Sequence, residues 1–196
     1  MSGWTTHNGT AVALPVDGID TDQIIPARFM STPRSVGYGD LLFHDLRDAG
    51  FPLTRHPTAS LLIAGRNFGS GSSREAAVYA LVDFGIRVVV APSFGDIFAS
   101  NAVNNGLLPA RVPDTDLARL TIAIGTGAAP ATADLADTTL TLADLTVPFD
   151  LDPVWREKLI NGWDDIDLTR QHTDTIAAYR ARLTTSQPWR FPAEAG

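Results

Sequence analysis

The residue types best able to do chemistry in this chain are concentrated in the run Gly65-Arg66-Asn67-Phe68-Gly69-Ser70-Gly71-Ser72-Ser73-Arg74-Glu75. Glycines let backbone N–H groups approach a ligand closely. The serines offer hydroxyls, and Arg74 offers a planar fork that binds carboxylates through two hydrogen bonds. The run lies between an apolar stretch, Ser60–Ala64, and a stretch of good helix formers, Ser73–Phe84. It therefore reads as a loop between a buried strand and a helix whose N-terminus favours an anion. Ser72 and Ser73 are placed to cap that helix, with Glu75 in its first turn. A nucleotide loop does not fit. Gly69 and Gly71 open a G-x-G-x-x-G, but Arg74 stands in place of the third glycine, and no Gly-Lys-Ser/Thr follows. Two readings stay open on spacing alone. One is a capped turn with no ligand. The other is a carboxylate site in which one serine hydroxyl faces substrate while Arg74 binds its carboxylate.

The elements around the loop must hold it at one end of a sheet. Residues 10–16 read as a first strand closed by Pro15 and Asp17-Gly18, and 30–40 as a turn-rich loop. Leu41–Arg47 is expected as a short helix. After the loop and its helix, Gly85 is the expected C′ residue. Arg87–Ala91, the helix Phe94–Asn104 and the strand Leu107–Val112 follow. This strand–loop–helix–strand–helix–strand order implies a parallel core sheet with right-handed crossovers. Short strands are expected at Leu120–Ile124, Thr138–Leu142 and Leu145–Val147, with Gly125–Ala133 as a loop. A C-terminal helix is expected over Thr169–Leu183, its apolar stripe made by Ile176, Tyr179 and Leu183. Asp164, Asp165 and Asp167 precede it, where negative charge suits a helix N-terminus. The domain is expected to run from 1 to 185, with 186–196 as a flexible tail.

Composition bounds the chemistry. The chain has 196 residues, a formal net charge of −7 and no cysteine. Without cysteine it cannot form a disulfide, hold a thiolate-ligated zinc or iron–sulfur cluster, or use a cysteine nucleophile of its own. A partner chain could supply any of these. The acidic balance argues against nucleic acid as a partner. The apolar runs fall short of the roughly 20 residues that span a bilayer, and the first 20 residues show no secretory pattern, so a cytoplasmic protein is expected. The four histidines, His7, His44, His56 and His172, form no paired ligand spacing and read as surface residues, and no metal site is expected. Fourteen of the 15 basic residues are Arg, so only arginines within motifs carry information about an acidic substrate.

Asn67-Phe68-Gly69-Ser70-Gly71-Ser72-Ser73-Arg74-Glu75 resembles the signature of the aconitase swivelling domain, and the chain as a whole is similar to the small subunits of 3-isopropylmalate dehydratases. Further segments carry the likeness in the same order: Asp20-Thr21-Asp22-Gln23-Ile24-Ile25-Pro26, Gly37-Tyr38-Gly39-Asp40-Leu41-Leu42-Phe43, Ser93-Phe94-Gly95-Asp96-Ile97-Phe98, Asn101–Pro109 and Asn161–Ile166. The resemblance implies an α/β swivelling domain with β/β/α layers, a mostly parallel core sheet and a C-terminal helix. It implies a hydro-lyase subunit that isomerises 2- and 3-isopropylmalate by losing and regaining water, in leucine biosynthesis. The large subunit would carry a [4Fe–4S] cluster as Lewis acid, and this chain would bind no cofactor.

By the same resemblance, Ser72 is the base, acting as its alkoxide, and Arg74 with the helix N-terminus stabilises that anion. Asp22 helps to order the site. Ser73 and the loop N–H groups, that of Gly71 included, hold a carboxylate of a small dicarboxylate substrate. Arg28 and Arg34 flank the loop Phe29–Val36, which would contact the isopropyl group, and one of them is expected to reach a carboxylate. That loop departs from the Leu-Arg-Thr form of some relatives, so homoaconitase-like and citraconate or maleate hydratase subunits remain alternatives. A stand-alone anion-binding module is the alternative outside the enzyme class.

Overall fold

Four short strands with apolar side chains on both faces pair in parallel and form the centre of the molecule. In the computed structural model, which describes residues 2–71 and 74–191, they are β1 Thr6–Leu14, β2 Leu61–Ala64, β3 Val88–Ala91 and β4 Leu108–Arg111. Between β1 and β2 lie two one-turn helices, α1 Thr21–Ile24 and α2 Pro52–Arg55. Three 3-10 turns lie between those helices, at Ala27–Ser31, Arg34–Val36 and Gly39–Leu41. Helix α3, Glu75–Phe84, joins β2 to β3, and α4, Asp96–Asn104, joins β3 to β4. Beyond β4 come α5 Asp114–Ile124, the strands β5 Ala128–Asp134, β6 Thr139–Leu142 and β7 Leu145–Pro148, and α6 Pro153–Asn161.

The seven strands make one sheet in the order β4-β3-β2-β1-β5-β6-β7, its second half antiparallel. Alternation along each strand divides the core in two. Val12, Leu62, Ala64, Val89 and Ala91 face Ala77 and Leu81 of α3 and Phe98 and Ala102 of α4. Leu61, Ile63, Val88 and Val90 share the other core with Leu120 and Ile124 of α5 and Leu140, Leu142 and Val147 of the antiparallel half. Strands buried on both faces read as continuous apolar runs, which is why β2 and β3 were legible as core strands.

Several sequence expectations are corrected. Leu120–Ile124 is the second half of α5, not a strand. Leu120 and Ile124 are buried four residues apart while Ile122 is 81% exposed, which is helical periodicity. The expected loop Gly125–Ala133 holds only as far as Gly127: from Ala128, β5 pairs with β1, from Thr6↔Asp134 to Val12↔Ala128. Its Ala-Pro-Thr composition carries no strand signal, and the distant partner decides. Leu41–Arg47 is a run of turns, because Phe43 takes a φ of 52° and cannot continue a helix. Helix α3 begins at Glu75 with Arg74 at its N-cap, whose side chain makes no capping hydrogen bond; Ser72 and Ser73, the expected caps, lie outside the described residues. Helix α6 was not anticipated, although Asp152-Pro153 at its start and Gly162 in the left-handed region at its end are ordinary boundary signals.

By their contacts the described residues form two compact units, one up to Trp163 and one from Asp164. Within the second unit the expected single helix is two, α7 Asp165–Arg170 and α8 Thr173–Ser186. Asp164 caps α7 reciprocally with Asp167: the Asp167 N–H donates to Asp164 Oδ1 at 2.8 Å. The expected stripe of α8 is open, with Ile176 and Tyr179 about half exposed. Pro188–Arg190 forms a 3-10 turn, and residues 192–196 lie outside those described. Among the described residues, no helix is long and apolar enough to cross a membrane.

Candidate active site

The carboxyl ends of β1, β2 and β3 bring three loops together, where open α/β sheets place their ligands. Backbone hydrogen bonds lock them. The Gly18 N–H donates to Arg66 O at 2.8 Å, the Gly69 N–H to Ile19 O at 2.8 Å and the Thr21 N–H to Ser70 O at 3.0 Å. The Phe68 N–H donates to Ser93 O at 3.1 Å and the Gly95 N–H to Phe68 O at 2.9 Å. Ser93 Oγ also accepts the Asn67 N–H at 2.9 Å, and Asp17 Oδ1 accepts that of Arg66 at 2.7 Å. The glycine-rich loop is thus stitched on both sides, and two of its contacts require glycine. Gly69 has a φ of +72°, and a Cβ there would lie 2.2 Å from Phe98 Cγ. A Cβ on Gly95 would lie 2.6 Å from Gly69 O.

Behind the loop stands an aromatic wall. Phe94 and Phe98 stack at 6.3 Å, and Phe68 meets Phe98 edge-on at 5.4 Å. In front lies a cleft of about 310 Å³ whose lining includes Thr21, Asn67, Gly71, Arg74, Asp96 and Phe98. The Arg74 side chain is only 19% exposed and donates to Asp22 Oδ1, whose side chain is half exposed. Glu75, next in the chain, accepts from Asn105 Nδ2 at 3.0 Å, which ties the first turn of α3 to the end of α4.

The structure brings three of the sequence-predicted residues, Asp22, Gly71 and Arg74, to this cleft or its rim. Ser72 and Ser73 lie outside the described residues; their chain neighbours Gly71 and Arg74 both line the cleft. Arg28 and Arg34 do not line it. Arg28 donates to Asp45 Oδ2 at 2.7 Å and sits over the Phe29 ring at 4.5 Å. Its hydrogen bond holds the Asp45 carboxyl well below the usual carboxylate range. Arg34 forks onto Asp83, with Nη1 to Oδ2 at 2.6 Å and Nη2 to Oδ1 at 2.9 Å. Sequence reasoning missed Asp83, whose sequence separation from Arg34 leaves no local signal, and Phe98, which read only as part of an apolar stripe.

His7, expected at the surface, is half-buried and 2.9 Å from Ser60 Oγ, and burial pushes its pKa down. Among the described residues, no group of three or more His, Cys, Asp or Glu could hold a metal ion. The chain has no thiolate either, so its donor set does not fit an iron–sulfur cluster.

Comparison with known proteins identifies the family and the fold. Residues 42–115 match the aconitase C-terminal domain. The chain is 45% identical to the 3-isopropylmalate dehydratase small subunit of Rhodospirillum centenum, over 96% of this chain and 98% of that protein. It is 44% identical to the protein of the same name from Acidothermus cellulolyticus, with the same coverage. Its fold superposes on the crystal structure of 3-isopropylmalate dehydratase from Methanocaldococcus jannaschii with a TM-score of 0.69, at 26% identity, over 89% of this chain and 99% of that one. On near-full-length identity, a shared fold and a glycine-rich loop set at the carboxyl ends of parallel strands, the chain belongs to the 3-isopropylmalate dehydratase small-subunit family.

Proposed function

We propose that this chain is the small subunit of a hydro-lyase that interconverts 2- and 3-isopropylmalate in leucine biosynthesis, in the cytoplasm. The observation that carries the reading is Arg74, mostly buried, held by Asp22 and lining the cleft beside the glycine-rich loop. It is a pre-oriented cation in the cleft lining, suited to a dicarboxylate and adjacent in sequence to the proposed serine base.

The reaction removes a proton from a carbon next to a carboxylate. The C–H electron pair becomes the C=C bond as the C–O bond on the neighbouring carbon breaks and hydroxide leaves. Water then adds back with the opposite orientation. In our reading, Ser72 takes the proton, Arg74 stabilises the serine anion and Asp22 fixes the guanidinium. Ser73 and the Gly71 N–H bind a substrate carboxylate. Hydroxide is a poor leaving group and needs a Lewis acid. This chain has no thiolate to hold one, so a [4Fe–4S] cluster is assigned to the large subunit, and the active site to the interface of the two chains.

Co-expression with a large subunit of the same family tests the reading. The assembled protein is expected to turn over isopropylmalate faster than homoaconitate, citraconate or maleate, while the isolated chain turns over none of them. Activity of the isolated chain would overturn the two-chain site. A complex that prefers citraconate or maleate would overturn the substrate assignment.

A further inference from the structure

Glu75 in the first turn of α3 suits the helix dipole, but one further charge at each end opposes it. Arg74 is a cation at the N-cap, the positive end, and Asp83 is an anion in the last turn, the negative end. Neither charge serves the helix. Each is matched by an opposite charge from one segment of chain: Asp22 takes Arg74, and Arg34 takes Asp83. Ten helical residues rise by roughly 15 Å, so these two ion pairs bracket the length of α3.

The pair at the Asp83 end is the more elaborate. The Asp83 side chain is only 19% exposed, and it accepts both Nη atoms of Arg34 and the Tyr38 N–H at 2.8 Å. The Arg34 guanidinium also lies over the ring of Tyr79, one turn back on α3, at 4.4 Å, and 5.5 Å from the Tyr38 ring. Tyr38 Oη closes the turn by donating to Thr32 O at 2.9 Å. A Cβ on Gly39 would lie 2.9 Å from the Asp83 backbone, so the chain presses directly on the helix there. The segment so held leaves Met30 and Val36 44% and 73% exposed.

We propose that the segment Asp22–Arg34 is a strap fastened to both ends of α3, and that Asp83 is a positioning residue that holds the loop Phe29–Val36 in its substrate-binding shape. Arg34 is then the fastening of the loop and not a ligand for a substrate carboxylate. Only the kinetic half of this inference rests on the hydro-lyase reading.

The first measurement is hydrogen exchange on the isolated chain. Asp83→Ala removes every acceptor and is expected to speed exchange of the Tyr38 amide, and of its neighbours in 32–38, at least about tenfold. Asp83→Asn keeps one acceptor oxygen but loses the charge, and is expected to fall between. Asp150→Asn, which breaks an exposed pair with Arg111, is expected to leave these amides unchanged. Because Asp83 opposes the helix dipole, its removal should not melt α3, and retained protection of the α3 core amides checks this directly.

The second measurement is kinetic, on the assembled enzyme. Asp83→Ala and Arg34→Ala are expected to raise KM for isopropylmalate about 5–20-fold with kcat within about twofold, with Asp83→Asn intermediate. Unchanged Tyr38 exchange in Asp83→Ala would overturn the strap. Faster exchange with unchanged KM would overturn the positioning role, as would a fall in kcat at constant KM. A wild-type complex without activity would defeat the hydro-lyase reading, while the exchange result would still decide the strap.

Discussion

Replacing Ser72 by alanine is expected to lower turnover of the assembled enzyme about a thousandfold while leaving folding and assembly intact, and Arg74→Gln is expected to cost about 10²- to 10³-fold. The two losses have one cause. A serine hydroxyl gives up its proton reluctantly, so it can serve as a base only if its anion is stabilised where it forms. Arg74 adjoins the serines in sequence and lines the cleft, where its limited exposure keeps water from weakening its field. With the cation gone the serine holds its proton more tightly, so the residual activity of Arg74→Gln should keep climbing with pH beyond the point where the wild type levels off. Arg74→Lys should not restore the rate, because a point charge lacks the fork that Asp22 holds in place.

Stability and rate are separable here. Asp22 is half exposed, and pairs of this kind contribute at most about 1 kcal/mol. A thousandfold loss corresponds to about 4 kcal/mol of barrier. A melting temperature near that of wild type, combined with the lost turnover, would therefore locate the effect in the chemistry. Turnover within about tenfold of wild type for both variants would remove Ser72 and Arg74 from the roles assigned to them.

What the sequence made legible follows from how local each signal is. The parallel core was readable because β2 and β3 are buried on both faces and α3 and α4 close on glycine or asparagine turns. The site loop was readable because its glycines, serines and arginine are contiguous. Elements whose partners lie far away were not. β5 is strand-like only because β1, some 120 residues earlier, offers it a ladder. Leu120–Ile124 looked like a strand because β-branched residues outweighed a four-residue burial period that the fold alone reveals. Arg34 could be read as a substrate ligand as long as its partner was unknown. Asp83, 49 residues away, is the ion-pair partner on which the strap proposal rests. The dipole argument was available from sequence in principle: an acid in the last turn of a predicted helix, with no base beside it, asks for a distant cation.

Gly69→Ala is expected to destabilise the isolated chain by about 3 kcal/mol and to lower its melting temperature by about 6–12 °C. Two costs add. An L-residue at a φ of +72° pays about 1 kcal/mol or more for left-handed backbone. The new methyl would also lie 2.2, 2.5 and 2.7 Å from three ring carbons of Phe98, and overpacking of this kind costs about 1–3 kcal/mol. The ring cannot step aside cheaply, because Phe94 stacks on it and Phe68, fully buried, meets its edge. Gly18→Ala separates the two costs: Gly18 has a φ of +70°, but a Cβ there meets nothing within 4 Å. It should lose about 1 kcal/mol only. In a Phe98→Ala background the Gly69→Ala cost should fall to that of Gly18→Ala, a coupling of at least about 1 kcal/mol between residues in contact. If Gly69→Ala and Gly18→Ala cost the same in the wild-type background, the aromatic wall does not set the loop. If they differ as expected, the position of Gly69 in the cleft wall is fixed from behind by Phe98.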